Sequence, residues 1–237
     1  MAKVLKKHII NTVKSSYYKY CLLFILLFVL IVACICLAFF TYGISLIFII
    51  PILFLIPKTR KQISILRSGA EGEKNTLQIL SLLPKGYYII CDVTLCVKHK
   101  TAQLDYIIIG PSGVFVIEAK NHSGVIHGNS SSPYLNKNKH GEEIEFYNPA
   151  FQVATHIRLV DELLRDNGCK SIDLEGAVFF ANPNAKVNVI NSASAIHFFS
   201  LNQNGKNALL AFIRNNNDVL SKAKVKKLKK IIFKNCK

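Results

Sequence analysis

From Cys21 to Pro57 the chain runs 37 residues without a charged side chain, which excludes a wholly soluble protein and a disordered basic chain. A single α-helix of that length would measure roughly 56 Å, against a hydrocarbon core about 30 Å thick. Cys21 to Phe40 is uninterrupted apolar sequence, Thr41-Tyr42-Gly43 breaks it, and Ile44 to Ile56 is apolar apart from Ser45 and contains Pro51. The pattern predicts a membrane anchor over 21–57 built as a two-helix hairpin with a short second arm. The run is too long for a cleaved secretory signal.

Charge is divided unevenly along the 237 residues. Residues 1–20 carry Lys3, Lys6, Lys7, Lys14 and Lys19 and no acid. Lys58, Arg60, Lys61 and Arg67 follow the apolar run, and residues 222–237 add eight lysines, again without an acid. Between 69 and 221 there are 13 Lys/Arg against 14 Asp/Glu, so the net charge of +16 belongs to the flanks. Lysines beside an apolar segment fit anionic lipid. The positive-inside rule places both N-terminal clusters on one cytoplasmic face of the hairpin. Seven cysteines with no CxxC spacing read as reduced thiols rather than a disulfide framework or zinc ribbon.

Past a basic linker at 58–68, a folded domain is expected over 69–217. Its elements would be a helix from Glu71 to Leu83, strands at Tyr87–Val97, Leu104–Gly110 and Val114–Ala119, and a helix opened by Asn148-Pro149 and closed by Gly168. Gly128 to Tyr147 reads as a loop or irregular hairpin. Strands follow near Leu174–Phe180, Val187–Ile190 and Ile196–Phe199, then a helix from Lys206 to Asn215. Residues 218–237 form a basic amphipathic helix that could lie on anionic membrane, follow nucleic acid or cover the domain.

Asp105 on one strand and Glu118 on the next bring two carboxylates to one sheet edge, with Lys120 on the face of Glu118 by the twofold strand period. Two hard oxygen ligands suit Mg²⁺ or Mn²⁺, and a lysine beside them could offset charge on a phosphate. A salt-bridged sheet edge has the same composition. His122, His127 and His140 lack zinc-site spacing and read as solvated loop residues. His156 is expected on a helix facing solvent or substrate, and His197 in the core.

Gly69, Glu71-Gly72-Glu73, Gln103-Leu104-Asp105-Tyr106, Gly113 through Asn121, Gly124 and Asn148-Pro149 with Gln152 together resemble the nuclease-related domain family, NERD, over about residues 66–185. Through that family the resemblance extends to the PD-(D/E)XK nucleases. It implies a mixed α/β, restriction-endonuclease-like core, with a central mixed sheet flanked by helices behind the hairpin. It further implies a catalytic set of Asp105, Glu118, Lys120, Glu73 and Gln152, with Asp105, Glu118 and Glu73 as Mg²⁺ or Mn²⁺ ligands. The expected activity is metal-dependent hydrolysis of phosphodiesters in DNA or RNA, with Lys98, Lys100, Lys137 and Lys139 lining a nucleic-acid path. The expected location is a bacterial inner membrane, multi-pass, with the domain in the cytoplasm and lipid contacted through 21–57. The alternative is a catalytically weak or inactive module that binds nucleic acid or protein at the membrane.

Overall fold

A computed structural model describes residues 1–5, 12–139, 141–190, 196–202, 204–214 and 219–237. His140, Lys6, Lys7 and Asn215 lie outside the described residues, as does the side chain of Lys14. The chain divides into two compact bodies. One ends at Glu71; the other resumes at Gly72 and includes the N-terminal strand.

In the first body, α1 (Thr12–Ala38) carries the longest apolar run, with its large side chains outward. A 3-10 turn at Ile44–Phe48 follows, entered through Gly43 at φ +84°. The polar residues of this joint are tied to backbone: Ser45 Oγ donates to the Cys34 carbonyl at 2.8 Å and Thr41 Oγ1 to the Leu37 carbonyl at 2.9 Å. This removes the cost of free hydroxyls in apolar surroundings. Helix α2 (Ile49–Leu80) then runs through Pro57 and the basic residues beyond it into the second body.

Among the described residues a second membrane-length arm of the expected hairpin is not found. The apolar part of α2 ends at Ile56 after about two turns, roughly 12 Å, which cannot match the hydrocarbon thickness. Among the described residues one segment, Ser15–Ala38, is long and apolar enough to cross a membrane. A multi-pass inner-membrane location needs at least two, and this finding overturns it.

The second body is a mixed α/β fold around a six-stranded sheet. Its strands are β1 (Lys3–Leu5), β2 (Tyr88–Val97), β3 (Lys100–Gly110), β4 (Gly113–Lys120), β8 (Leu174–Phe180) and β10 (Ile196–Ser200), in that spatial order. Strands β2, β3 and β4 form an antiparallel meander, while β1 on β2, β8 on β4 and β10 on β8 are parallel. Ile-rich β3 and Val/Ile/Phe-rich β4 are apolar on both faces because both faces are covered.

One face packs against α3 (Pro149–Asp166) and α5 (Lys222–Lys234), the other against the end of α2 and α4 (Gly205–Arg214). A second sheet, ordered β7 (Glu142–Tyr147), β6 (Tyr134–Lys139), β5 (Gly124–Asn129), β9 (Ala185–Ile190), adds Ile126, Leu135 and Ala185 to the first core. The region expected as a loop or irregular hairpin thus holds β6 and β7, both largely polar and paired antiparallel.

Helix α3 starts where its sequence says it should. Asn148 accepts from Ala150 N at 3.0 Å, Pro149 occupies the first turn, and the Asn148 amide donates to the Ser130 and Ser132 carbonyls. Helix α5 buries Val225, Leu228 and Ile232 in the core and is fixed at both ends. Leu220 N donates to the Pro111 carbonyl, and the chain terminus bonds across Thr94 and Cys96. Of its three open placements, the one covering the domain is realised.

Candidate functional site

The alternation of β2 and β3 breaks at one place. Asp92, at φ +50°, and Asp105 opposite it drop out of the pairing between Cys91–Tyr106 and Val93–Leu104. Leu104 and Ile107, three residues apart, consequently both enter the same core. Asp105 sits half-buried at this break and accepts from Ala119 N at 2.9 Å, clasping the end of β4.

Glu118 and Lys120 project from β4 toward α3, where Gln152 and His156, four residues apart, share a helix face. Lys120 Nζ donates to Glu118 Oε1 at 2.7 Å and to Gln152 Oε1 at 3.2 Å. Glu118 is only 2% exposed. Burial first, then the charge of Asp105, push its carboxyl up to about 7, against the opposing pull of Lys120. Burial likewise raises Asp105, opposed by the Ala119 hydrogen bond and Lys120. His156, expected to face solvent or substrate, is buried, and burial with the Lys120 charge lowers its pKa. Its Nδ1 stands 3.8 Å from Glu118 Oε2, and neither atom has a hydrogen-bond partner among the described residues. Because the imidazole is held neutral, this is a facing pair of unpaired buried polar atoms rather than a salt bridge.

Glu73 lies on α2, and its carbonyl accepts from Tyr106 OH at 2.5 Å. The neighbouring Gly72 is packed so closely that an added Cβ would meet Asn121 Cβ at 2.7 Å. The glycine of the Glu-Gly-Glu motif thus lets α2 approach the end of β4.

The remaining predicted residues divide between the two sheets. Lys98 and Lys100, on the β2–β3 hairpin, are paired with acids of α3: Lys98 with Glu162 at 3.1 Å and Asp166 at 2.9 Å, Lys100 with Glu162 at 2.8 Å. Lys137 and Lys139 are on β6. Lys137 Nζ is 3.4 Å from His122 Nδ1, and burial with nearby Lys139 lowers its pKa. His122 is no solvated loop residue. It packs against Phe146 at 4.7 Å between ring centroids, and burial holds it down at about 4. His127 pairs with exposed Glu143, and His197 stacks among Phe199 and Phe212.

Residues 68–181 match the family model described as Nuclease-related domain, NERD. This domain belongs to the NERD family. An uncharacterized protein of Bacillus anthracis is 36% identical over 98 residues, covering 40% of this chain and 46% of that relative. The chain thus spans under half the length of the curated relative it matches. No solved structure matches.

Family membership does not bring the expected metal chemistry. Among the described residues no three His, Cys, Asp or Glu side chains are grouped so as to hold a metal ion. Of the two NERD-domain carboxylates on adjacent strands, Asp105 is committed to a backbone N–H and Glu118 to Lys120, and both are shifted toward their neutral forms. Mg²⁺ and Mn²⁺ take several oxygen ligands at once, and no such group of side chains is present among the described residues. The assignments as Mg²⁺/Mn²⁺-dependent endonuclease or hydrolase are corrected accordingly.

His156 is the member of this polar centre that sequence reasoning missed. The signal was its four-residue spacing from Gln152.

Proposed function

We propose that this chain is a nucleic-acid-binding module held at a membrane by α1, and that its NERD domain does not turn over phosphodiesters. The observation that carries this reading is the engagement of the polar centre's own groups with one another. Lys120, the residue that would meet a phosphate, is engaged at 2.7 Å by a carboxylate buried beneath it and by Gln152. What remains is a restriction-endonuclease-like scaffold whose polar groups hold β4 to α3. The match to a nuclease-related family and the excess of 30 Lys/Arg over 14 Asp/Glu support a polyanion as partner.

The test uses the full chain in nonionic detergent with labelled duplex DNA. DNA should be retained in EDTA, released steeply as salt rises, and retained equally by Glu118→Gln. Failure to bind at about 50 mM salt, where phosphate contacts are strong, refutes the reading. So does DNA cleavage that Glu118→Gln abolishes.

A further inference from the structure

The charge that defines this protein is not where the NERD match lies. Residues 222–237 hold eight lysines and no acid. Lys222, Lys224, Lys226, Lys227, Lys230, Lys234 and Lys237 are exposed, and none is within ion-pair distance of a carboxylate among the described residues. Lys98 and Lys100 contrast with them, being compensated by Glu162 and Asp166. Lys229 is half-buried over the Tyr88 ring at 5.3 Å and stands apart from the outward set.

The geometry of the free lysines is regular. Lys222, Lys226, Lys230 and Lys234 stand at four-residue intervals, so they form a ridge with a rise of about 6 Å per step and about 18 Å in all. The ridge is rigidly presented. Ser221 accepts from Lys224 N at 3.3 Å at one end, the terminus is bonded to Thr94 at the other, and the apolar stripe is buried between them.

We infer that the outward face of α5 grips the phosphate backbone of nucleic acid, an inference that rests on the binding reading above and assigns its contact surface. A row of ammonium groups with no carboxylate partner among the described residues, on a fixed helix, meets a polyanion without base selectivity. A lipid surface is disfavoured because an interfacial helix binds by sinking its apolar face into the acyl boundary. Val225, Leu228 and Ile232 already occupy the protein core.

The experiment compares the full chain with a variant carrying Lys222→Gln, Lys226→Gln, Lys230→Gln and Lys234→Gln, in nonionic detergent, by anisotropy of labelled duplex DNA across a salt series. Glutamine keeps helix propensity and leaves the buried stripe intact. Each lost phosphate contact lowers the magnitude of the log–log salt slope by about 0.9, so the slope should fall by about 3 to 4. Lys98→Gln with Lys100→Gln should change it by less than about 1. The pair Lys226→Gln and Lys230→Gln should give about half the effect, which keeps the test open should the fourfold variant unfold by circular dichroism. Wild-type binding with an unchanged slope in the α5 variants overturns this assignment and leaves the binding function standing. Absence of wild-type binding overturns both. Loss of affinity for phosphatidylserine nanodiscs with unaltered DNA binding overturns the assignment in favour of a membrane contact.

Discussion

Replacing Glu118 by Gln should remove most of one pH dependence of stability. The folded carboxyl keeps its proton up to about 7, whereas the ordinary value is 4.5. Stability from this group is therefore full below 4.5 and is lost as pH rises through 7. The rise corresponds to about 3 kcal/mol once both states are ionised, of which about 2 to 3 kcal/mol falls between pH 5 and 8. His156 works in the opposite sense: its lowered pKa gives stability present above its unfolded value and lost as pH falls. It is present in both proteins and acts against the wild-type fall, although its contact with residue 118 couples the two groups.

Urea unfolding of the full chain in nonionic detergent suits the measurement, followed by circular dichroism because the chain has no Trp. With a slope of about 1–3 kcal/mol per molar urea, the wild-type midpoint should fall relative to Glu118→Gln by about 1 M or more on going from pH 5 to pH 8. Midpoints that move in parallel over that range would refute the assignment of a buried, proton-holding carboxyl.

Gly72→Ala should lower the melting temperature despite a helix-propensity gain of about 1 kcal/mol, because the new Cβ meets Asn121 Cβ at 2.7 Å and overpacking costs about 1–3 kcal/mol. Asn121→Gly should rescue it and Asn121→Ala should not, since the obstructing atom is the Cβ itself; the reverse order would discredit the contact. Leu26→Lys, central in the apolar segment Ser15–Ala38, should cost about 3 kcal/mol of membrane insertion. The carbonate-resistant fraction of the protein should drop, and an unchanged fraction would remove α1 as the anchor.

The strands legible in the sequence are those buried on both faces. The apolar runs of β3, β4 and β8 admit little else, and Asn148-Pro149 with Gly168 at φ +72° brackets α3. Strands β6 and β7 were obscured because Leu135 alone is fully buried in them, so period-two alternation had almost nothing to register. The boundary drawn at Pro57 between anchor and linker is not an element boundary. Helix α2 continues through it, with Thr59 Oγ1 donating to the Leu55 carbonyl at 2.9 Å.

At the polar centre the sequence carries the residue types and the shared face of Glu118 and Lys120. It does not carry occupancy. Whether a carboxylate awaits a cation or already holds an ammonium depends on rotamers and on what α3 lays over it, and neither leaves a trace in spacing. The orientation of His156 is lost for the same reason.

Strand β1 has a practical corollary. Its three residues hydrogen-bond along Tyr88, Ile89 and Ile90, with Ala2 N donating to the Leu83 carbonyl. Trimming the chain back to residue 58 or beyond, the obvious route to a water-soluble fragment, would uncover that hydrophobic border and leave its amides seeking another chain. Supplying residues 1–5 as a fused or added peptide is the remedy the fold suggests.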